Sequence, residues 1–276
     1  VGTTNGLNRY NPHDRTFTRY YINPLRSMGN FNEINCLFID DSSTLYVGTY
    51  HGLFRFDTQS DSLEAVVNIA DRIHCITQID KQLYIGISSG IKVLEPQSGK
   101  VDTYSPYSSI EPAENRNQAN SIFQDSKQRI WIGSVYKGLA LLDKNTKQIS
   151  ERIIISGGNS SRNNEISKLD EDKDGNLIIG TYEGIRIYNH DKHSFDIYNL
   201  SDNEELSHYA AEDIFVDKAG IIWIGTYSGG VSYSNEQGGR FHYYNPAKGN
   251  KVLGVTGPIV QGGNKIWMGT EAGGVV

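Results

Sequence analysis

The side chains best suited to bind a ligand are tyrosines, histidines, asparagines, arginines and a lysine in polar stretches of the sequence. They are Arg26, Tyr50, His51, Arg116, Asn117, Tyr136, Lys137, Arg162, Asn163, Tyr182, His208, Tyr209 and Tyr227. Aromatic faces pack against the C–H groups of sugars, and planar polar side chains hydrogen-bond sugar hydroxyls. These residue types therefore favour an oligosaccharide ligand, and the arginines would suit an acidic or sulfated one. Because loops are polar in most proteins, residue type alone does not define a site.

Other kinds of site lack residues that their chemistry requires. The run at 170–175 resembles the start of an EF-hand calcium loop, but Thr181 stands where the bidentate glutamate is needed. His190 and His193 have a spacing that would allow a metal pair, and a solvated turn explains them without one. Gly-Thr pairs recur without the lysine and the helix of a phosphate-binding loop. No metal site and no cofactor are predicted.

Composition excludes several classes of protein. The net charge is −6 with no basic run, so a nucleic-acid groove is not expected. No apolar stretch reaches the length of about 18 residues that a membrane-spanning helix needs. Cys36 and Cys75 lie in apolar runs and are predicted to be buried free thiols. The 17 tyrosines and the frequent valine, isoleucine and threonine favour strands over helices.

One phrase recurs along the chain: an apolar strand, then Gly-Thr or a close variant, a polar turn, a second glycine and another apolar strand. Its first glycine stands at positions 2, 48, 86, 133, 180, 225 and 269. One period is about 45 residues and holds four short strands, predicted at 166–172, 177–181, 185–188 and 194–198 in the clearest copy. Four-stranded repeats of this length indicate propeller blades. The predicted fold is therefore all-β, a β-propeller of four-stranded antiparallel blades.

The repeat also predicts the domain organisation. Residues 1–276 are predicted to form a single β-propeller domain, with blades at 34–72, 73–118, 119–165, 166–210 and 211–254 and partial blades at 1–33 and 255–276. Seven blades with trimmed ends are favoured. The alternative is six blades, the last completed by the N-terminal strands. Both ends of the chain fall within a repeat, so we expect a fragment of a larger protein.

The loops between strands position the candidate ligand-binding residues. If the strands of each blade are named A to D, the D–A loops lie at 22–33, 106–118, 156–165 and 199–210. These loops and the B–C turns are expected to project to the same end of the propeller, held there by a rigid scaffold. The Gly-Thr glycine is expected to permit a tight B–C turn. The recurring aromatic residues of strand B are expected to pack between blades: Tyr46, Tyr84, Trp131, Trp223 and Trp267.

Three segments carry a resemblance to a known family. Residues 2–12, 164–185 and 217–226 combine the apolar Gly-Thr strand with the polar turns around it. They resemble two-component regulator propeller repeats, and the resemblance covers nearly the whole chain, with weaker copies at 73–96 and 255–276. The resemblance implies the periplasmic sensor region of a hybrid two-component system receptor of Bacteroides-like bacteria. In that family an immunoglobulin-like domain, a membrane helix and a histidine kinase typically follow the propeller.

The resemblance implies a sensor rather than an enzyme. Many members of the family sense oligosaccharides, so the expected function is a ligand-sensing module on the periplasmic side of the inner membrane that regulates glycan-utilisation genes. The expected partners are an oligosaccharide, the further domains of the same receptor, and a second copy in a homodimer. Membrane attachment and histidine kinase activity would belong to the downstream parts. A non-catalytic protein-interaction scaffold is an alternative, and so is a propeller lyase or glycosidase, although no catalytic motif is visible.

Overall fold

The computed structural model consists of short strands joined by turns. It describes residues 1–23, 30–106, 117–155, 165–199, 210–227, 230–234, 241–244, 256–263, 265–270 and 274–275. Six candidate ligand-binding residues lie outside the described residues: Arg26, Arg116, Arg162, Asn163, His208 and Tyr209. Within the described part of the chain, helical structure is limited to a 3-10 helix at Asn30–Asn32. None of the described segments forms a helix able to cross a membrane.

The described strands form seven sheets. Sheet 1 contains β1 (Gly2–Thr3), β2 (Gly6–Asn11) and β3 (Thr16–Tyr20). Sheet 2 contains β4 (Ile34–Ile39), β5 (Leu45–Thr49), β6 (Gly52–Asp57) and β7 (Ser62–Ala65). Sheet 3 contains β8 (Ile73–Ile79), β9 (Gln82–Ile87), β10 (Gly90–Glu95) and β11 (Lys100–Tyr104). Sheet 4 contains β12 (Ala119–Gln124), β13 (Ile130–Ser134), β14 (Gly138–Asp143) and β15 (Gln148–Ile153). Sheet 5 contains β16 (Ile166–Glu171), β17 (Leu177–Thr181), β18 (Gly184–Asn189) and β19 (Ser194–Asn199). Sheet 6 contains β20 (Ala211–Val216), β21 (Ile222–Thr226), β22 (Gly230–Ser234) and β23 (Phe241–Tyr244). Sheet 7 contains β24 (Thr256–Gly262), β25 (Lys265–Thr270) and β26 (Gly274–Val275).

These sheets confirm the predicted all-β, β-propeller fold. In each one, strands that are consecutive in the chain lie side by side, and sheets 2 to 6 have the four strands of a blade. The number of blades, their boundaries and the single domain stay predictions. The chain forms two compact units, the first of residues 1–122 with 143–149 and the second of residues 123–142 with 150–276.

Within each unit, successive sheets pack through buried apolar side chains. In the first unit, Leu53 of sheet 2 lies in one buried cluster with Ile73 and Ile85 of sheet 3. In the second unit, Trp131 of sheet 4 lies in a buried cluster with Ile179 of sheet 5. Strands buried on both faces carry near-continuous apolar runs, which is why the Gly-Thr strand is so apolar in every repeat.

The recurring aromatic residues of the second strand follow the prediction in part. Tyr46, Tyr84 and Trp131 are buried, Trp223 is partly buried, and Trp267 is 42% exposed. Trp131 packs edge-on against Tyr188 of the following sheet, with ring centroids 6.2 Å apart. Packing between sheets is thus confirmed for Trp131. It stays a prediction for Trp267.

The glycine of the Gly-Thr pair does not form the turn predicted for it. Gly48 lies within β5, and a Cβ atom there would be 2.7 Å from Cγ2 of Ile73 in the next sheet. The second glycine of the motif makes the turn instead, since Gly52 has a φ of +131° that favours glycine. The first glycine therefore allows the neighbouring sheet to approach closely, and the second one starts the third strand.

The recurring aspartates between the first two strands of a sheet have a structural role. Oδ1 of Asp172 accepts hydrogen bonds from the backbone N–H groups of Asp174 (2.9 Å) and Asn176 (2.8 Å). Asp217 repeats the pattern one sheet later with the backbone of Ala219 at 2.9 Å. Such carboxylates replace a backbone acceptor and fix the turn. The EF-hand-like run is accounted for by this turn geometry.

A bulge in the first strand links neighbouring sheets. In β4 the register shifts between Ile34 and Cys36, which leaves Asn35 without a cross-strand partner. The Asn35 Nδ2 group then donates a hydrogen bond of 2.9 Å to the backbone oxygen of Ile73 in sheet 3. Ser167 lies at the same bulge position in β16 and donates to the backbone oxygen of Ala211 in sheet 6. A bulge re-aims one side chain, and here it is aimed at the next sheet.

The two cysteines adjoin these bulges. Cys36 and Cys75 do not form a disulfide, as predicted, but both are only partly buried, so their predicted burial is wrong. Each follows the bulge residue of its strand and faces the glycine of the second strand, whose small size leaves room for sulfur.

Candidate functional site

In the first unit, Tyr50 and His51 occupy the turn between β5 and β6. Thr49 fixes this turn: its Oγ1 donates to the backbone oxygen of Gly52 at 2.8 Å and accepts from the N–H of His51 at 3.0 Å. The hydroxyl of the Gly-Thr motif is therefore a turn clamp. It holds the two candidate ligand-binding rings at a defined place on the edge of sheet 2.

Their rings belong to an aromatic group that the sequence did not predict as a unit. His51 stacks on Phe31, with centroids 4.8 Å apart and an interplanar angle of 14°. Tyr50 meets His51 edge-on at 5.1 Å, and the guanidinium of Arg72 lies 4.9 Å from the Tyr50 ring centroid. Arg72 is also 4.0 Å from a carboxylate oxygen of Glu33. These ring and cation–π contacts hold Phe31, Tyr50, His51 and Arg72 together as one group.

A polar network begins at the bulge of β8. His74 Nε2 lies 3.0 Å from Ser88 Oγ, and His74 Nδ1 lies 3.5 Å from Gln118 Nε2. Next to it, the Oδ1 atom of Asn117 is buried and has no hydrogen-bond partner among the described residues. Burial, and then the positive charge of Arg72, lower the pKa of His74 to about 4. This histidine was missed because it lies in a run that otherwise reads as an apolar strand.

The depressed pKa of His74 makes stability depend on pH. Between pH 6.5, the ordinary value, and about pH 4 the unfolded chain binds a proton that the folded chain does not. The free energy of unfolding should therefore fall as the pH falls through this window, by about 2 kcal/mol once partial exposure is allowed for. Urea denaturation at several pH values measures this slope. In His74→Gln the slope should shrink, whereas His13→Gln, a change at an exposed histidine, should keep it; equal slopes in all three proteins would contradict the assignment.

In the second unit, three tyrosines lie at equivalent turns of consecutive sheets. Tyr136, Tyr182 and Tyr227 are 45%, 43% and 49% exposed. Tyr182 and Tyr227 directly follow the clamp residues of their turns, and Tyr136 stands two residues after its clamp residue, Ser134. The clamp of Tyr182 is Thr181, whose Oγ1 donates to the backbone oxygen of Gly184 at 2.8 Å. Because sheets 4, 5 and 6 repeat the same strand order, the three rings stand at the same edge of their sheets. We call these three residues the tyrosine row.

Lys137 follows Tyr136 in the chain. Unlike the exposed tyrosines of the tyrosine row, it is buried, at 4% exposure. Arg152 of β15 donates from Nε to the backbone oxygen of Lys137 at 2.9 Å. Burial, and then the charge of Arg152, lower the pKa of Lys137. This part of sheet 4 thus concentrates positive charge beside an exposed aromatic ring.

The candidate residues therefore fall into two described groups. Tyr50, His51 and Asn117 belong to the first unit, and Tyr136, Lys137, Tyr182 and Tyr227 belong to the second. The structure adds Phe31, Arg72, His74 and Gln118 to the first group, and Arg152 to the second. Phe31 had no signal in the sequence, since an aromatic residue in a long loop has no periodic context. The ligand-binding role of all these residues stays a prediction.

Comparison with known proteins supports the family resemblance. The model of a family described as two component regulator propeller matches residues 114–136. This segment contains the apolar Gly-Ser strand of sheet 4, which is one copy of the repeat. The predicted resemblance to two-component regulator propeller repeats is confirmed. The curated proteins contain no match to this chain.

Several solved structures share the fold. The extracellular domain of a B. thetaiotaomicron protein assigned as a hybrid two component system is 24% identical, with a TM-score of 0.79 over 99% of this chain and 37% of that chain. A second such domain from the same organism is 20% identical, with a TM-score of 0.80 over 100% of this chain and 36% of that chain. This chain thus spans little more than a third of either domain.

A third similar structure is that of an enzyme. It is a catalytically inactive virginiamycin B lyase from Staphylococcus aureus with Quinupristin, 14% identical, with a TM-score of 0.74 over 99% of this chain and 87% of that chain. At these identities each likeness establishes the β-propeller fold alone, because one fold supports many functions.

Proposed function

We propose that this chain is part of the ligand-sensing region of a hybrid two-component receptor and that its ligand is an oligosaccharide. The tyrosine row carries the proposal, since three exposed rings on rigid turns provide aromatic faces for sugar rings. The match to a two component regulator propeller supports the sensing role. The receptor would hold this region on the periplasmic side of the inner membrane, act as a homodimer with its further domains, and regulate glycan-utilisation genes.

A binding measurement with matched variants tests the proposal. The melting temperature of the chain is followed against a panel of oligosaccharides, and a ligand at a hundredfold excess over its Kd should stabilise the fold by about 2.7 kcal/mol. The double variant Tyr182→Ala with Tyr227→Ala should lose this shift while its own melting temperature stays close to that of the unmodified chain. Tyr10→Ala removes a ring of equal exposure, 49%, on β2 and should keep the shift.

The outcomes separate sensing from scaffolding. A stabilised chain whose response the double variant abolishes supports a sensor. A folded chain that responds to no oligosaccharide would count against it and favour a protein-interaction scaffold. Tyr10 and Phe17 would then be the surface to examine, because both rings are exposed and lie 5.1 Å apart.

One observation favours a lyase or glycosidase as a second candidate. Glu212 of β20 is exposed to solvent, and desolvation by the surrounding protein, followed by the nearby carboxylates of Glu165 and Asp213, raises its pKa. A carboxyl group that stays protonated at higher pH can act as a general acid in glycoside cleavage. Incubating the chain with each oligosaccharide and measuring newly formed reducing ends separates this candidate from a sensor, which would leave its ligand intact.

A further inference from the structure

Arg186 is a charged side chain in an apolar part of the second unit. It is the third residue of β18 and is only 5% exposed. It lies on the same face of the strand as Tyr188, because side chains two residues apart in a strand share a face. Tyr188 belongs to the buried cluster of Trp131 and Leu139 from sheet 4. The guanidinium therefore lies where sheet 5 meets sheet 4.

The described residues leave most of this guanidinium without an acceptor. A guanidinium has five N–H donors. Nη1 of Arg186 donates one hydrogen bond of 3.0 Å, to the backbone oxygen of its neighbour Ile185. No carboxylate among the described residues forms an ion pair with it, although Glu183 acts on it electrostatically.

The acidic residue directly before sheet 5 does not compensate this charge. It is Glu165, which acts electrostatically on Glu212 of sheet 6, and the causes of the shifted pKa of Arg186 include Glu183 and not Glu165. Burial lowers the pKa of Arg186, the direction expected when a charged group is moved out of water without compensation. Arginine stays protonated in proteins nonetheless, so the positive charge is permanent.

Lys92 shows what a structural cation does at the same point of the repeat. Like Arg186, it is the third residue of its strand, here β10 of the first unit. Its Nζ lies 3.4 Å from Asp71 Oδ2 and donates to the backbone oxygen of Asn68 at 3.2 Å. Both partners come from the segment just before sheet 3. Lys92 thus ties its sheet to a loop, and Arg186 has no described partner of that kind.

Sheet 6 carries a second unsatisfied polar group at this repeat position. Ser232 is the third residue of β22, and its Oγ is fully buried without a hydrogen-bond partner among the described residues. Buried polar groups without partners are uncommon in folded proteins. In sheets 5 and 6, the third residue of the third strand therefore carries a polar group that lacks hydrogen-bond partners among the described residues.

We propose that Arg186 binds an anionic group of the ligand, a carboxylate or a sulfate ester. The guanidinium fork pairs with two oxygens of such a group, and burial strengthens the pairing because water is excluded. Tyr182, four residues earlier on the adjoining turn, would contact the sugar ring that carries the group. This inference rests on the proposed function and narrows it from oligosaccharides in general to acidic or sulfated ones.

Calorimetric titration of the complete chain tests the inference with three probes: a uronic-acid tetrasaccharide, a sulfated tetrasaccharide, and a neutral tetrasaccharide of the same linkage. We expect one of the two anionic probes to bind at least about tenfold more tightly than the neutral one. Arg186→Met should weaken that binding by about 10- to 100-fold, and Arg186→Lys should restore part of it. The matched variant Lys92→Met should leave it unchanged. The better anionic probe identifies the group.

Stability of the ligand-free variants provides the second readout. Removing a buried guanidinium that lacks a partner should cost no stability. Arg186→Met should therefore melt at the same temperature as the unmodified chain or at a higher one. Lys92→Met should melt lower, because it leaves Asp71 unpaired. Arg186→Met melting as low as Lys92→Met, or binding the anionic probe normally, overturns the inference. Equal binding of neutral and anionic probes overturns it too and leaves the proposed function intact, whereas binding of none of the probes to a folded chain counts against both.

Discussion

Replacing Asp125 with alanine should lower the free energy of unfolding by about 3–5 kcal/mol. Its side chain is 2% exposed, and Oδ2 accepts hydrogen bonds from Trp131 Nε1 at 2.8 Å and Arg129 Nε at 2.6 Å. Oδ1 accepts from the backbone N–H of Arg129 at 2.8 Å. The alanine variant would leave a fully buried indole N–H and a mostly buried guanidinium without their acceptor, and each such loss is costly.

Urea denaturation of the complete chain measures this change. Asp57→Ala is the matched control, because Asp57 also accepts backbone N–H bonds in a turn, from Gln59 at 2.9 Å and Ser60 at 3.2 Å, but in an exposed hairpin. The control should cost far less. If the two alanine variants were equally unstable, fixing the turn would be the whole role of Asp125, and its bond to the tryptophan would contribute nothing.

Replacing Gly86 with alanine should cost about 3 kcal/mol, at the upper end of the range for overpacked cores. The added Cβ would lie 2.5 Å from Cys75 Sγ and would overlap the backbone oxygen of Ala119. Neither neighbour can give way easily, because one lies across the pair of strands β8 and β9 and the other is backbone. Thermal unfolding of the complete chain, followed by circular dichroism, measures the loss.

Gly99→Ala is the control for that variant. A Cβ at Gly99 meets no atom within 4 Å, while its φ of +71° disfavours alanine. Its expected cost is the backbone strain alone, about 1 kcal/mol. If Gly86→Ala lost no more stability than Gly99→Ala, β9 of sheet 3 and β12 of sheet 4 would be able to move apart at no cost in free energy. That result would contradict the close approach seen in the structure.

Sequence periodicity made the strands predictable, since the same apolar phrase returns with each repeat. Strands predicted at 177–181 and 194–198 are found at Leu177–Thr181 and Ser194–Asn199. The paired glycines predicted the positions of the turns correctly, but the role predicted for the first glycine was wrong. Both glycines occur in every copy of the phrase, but their roles differ: Gly48 lies in a strand facing Ile73, while Gly52 has the positive φ.

The candidate site was predictable to a smaller extent. Exposed tyrosines on repeated turns follow from the repeat itself, so Tyr182 and Tyr227 could be placed at equivalent positions in advance. His74 and Arg186 could not be placed in this way, because the role of each depends on contacts with another sheet or on their absence. Position within a repeat therefore predicts where a side chain points, and tertiary packing determines which charges are left uncompensated.

The bulges that join β4 and β16 to the sheets that follow them bear on how such proteins change length over generations. Asn35 and Ser167 each bond to the backbone of the next sheet, so these repeats depend on their immediate neighbours. A gain or loss of one repeat by unequal genetic recombination would replace one such junction with an equivalent one, because the partner is a backbone carbonyl that every repeat provides. Nearest-neighbour bonding of this kind lets whole repeats be copied without redesign of the rest of the protein.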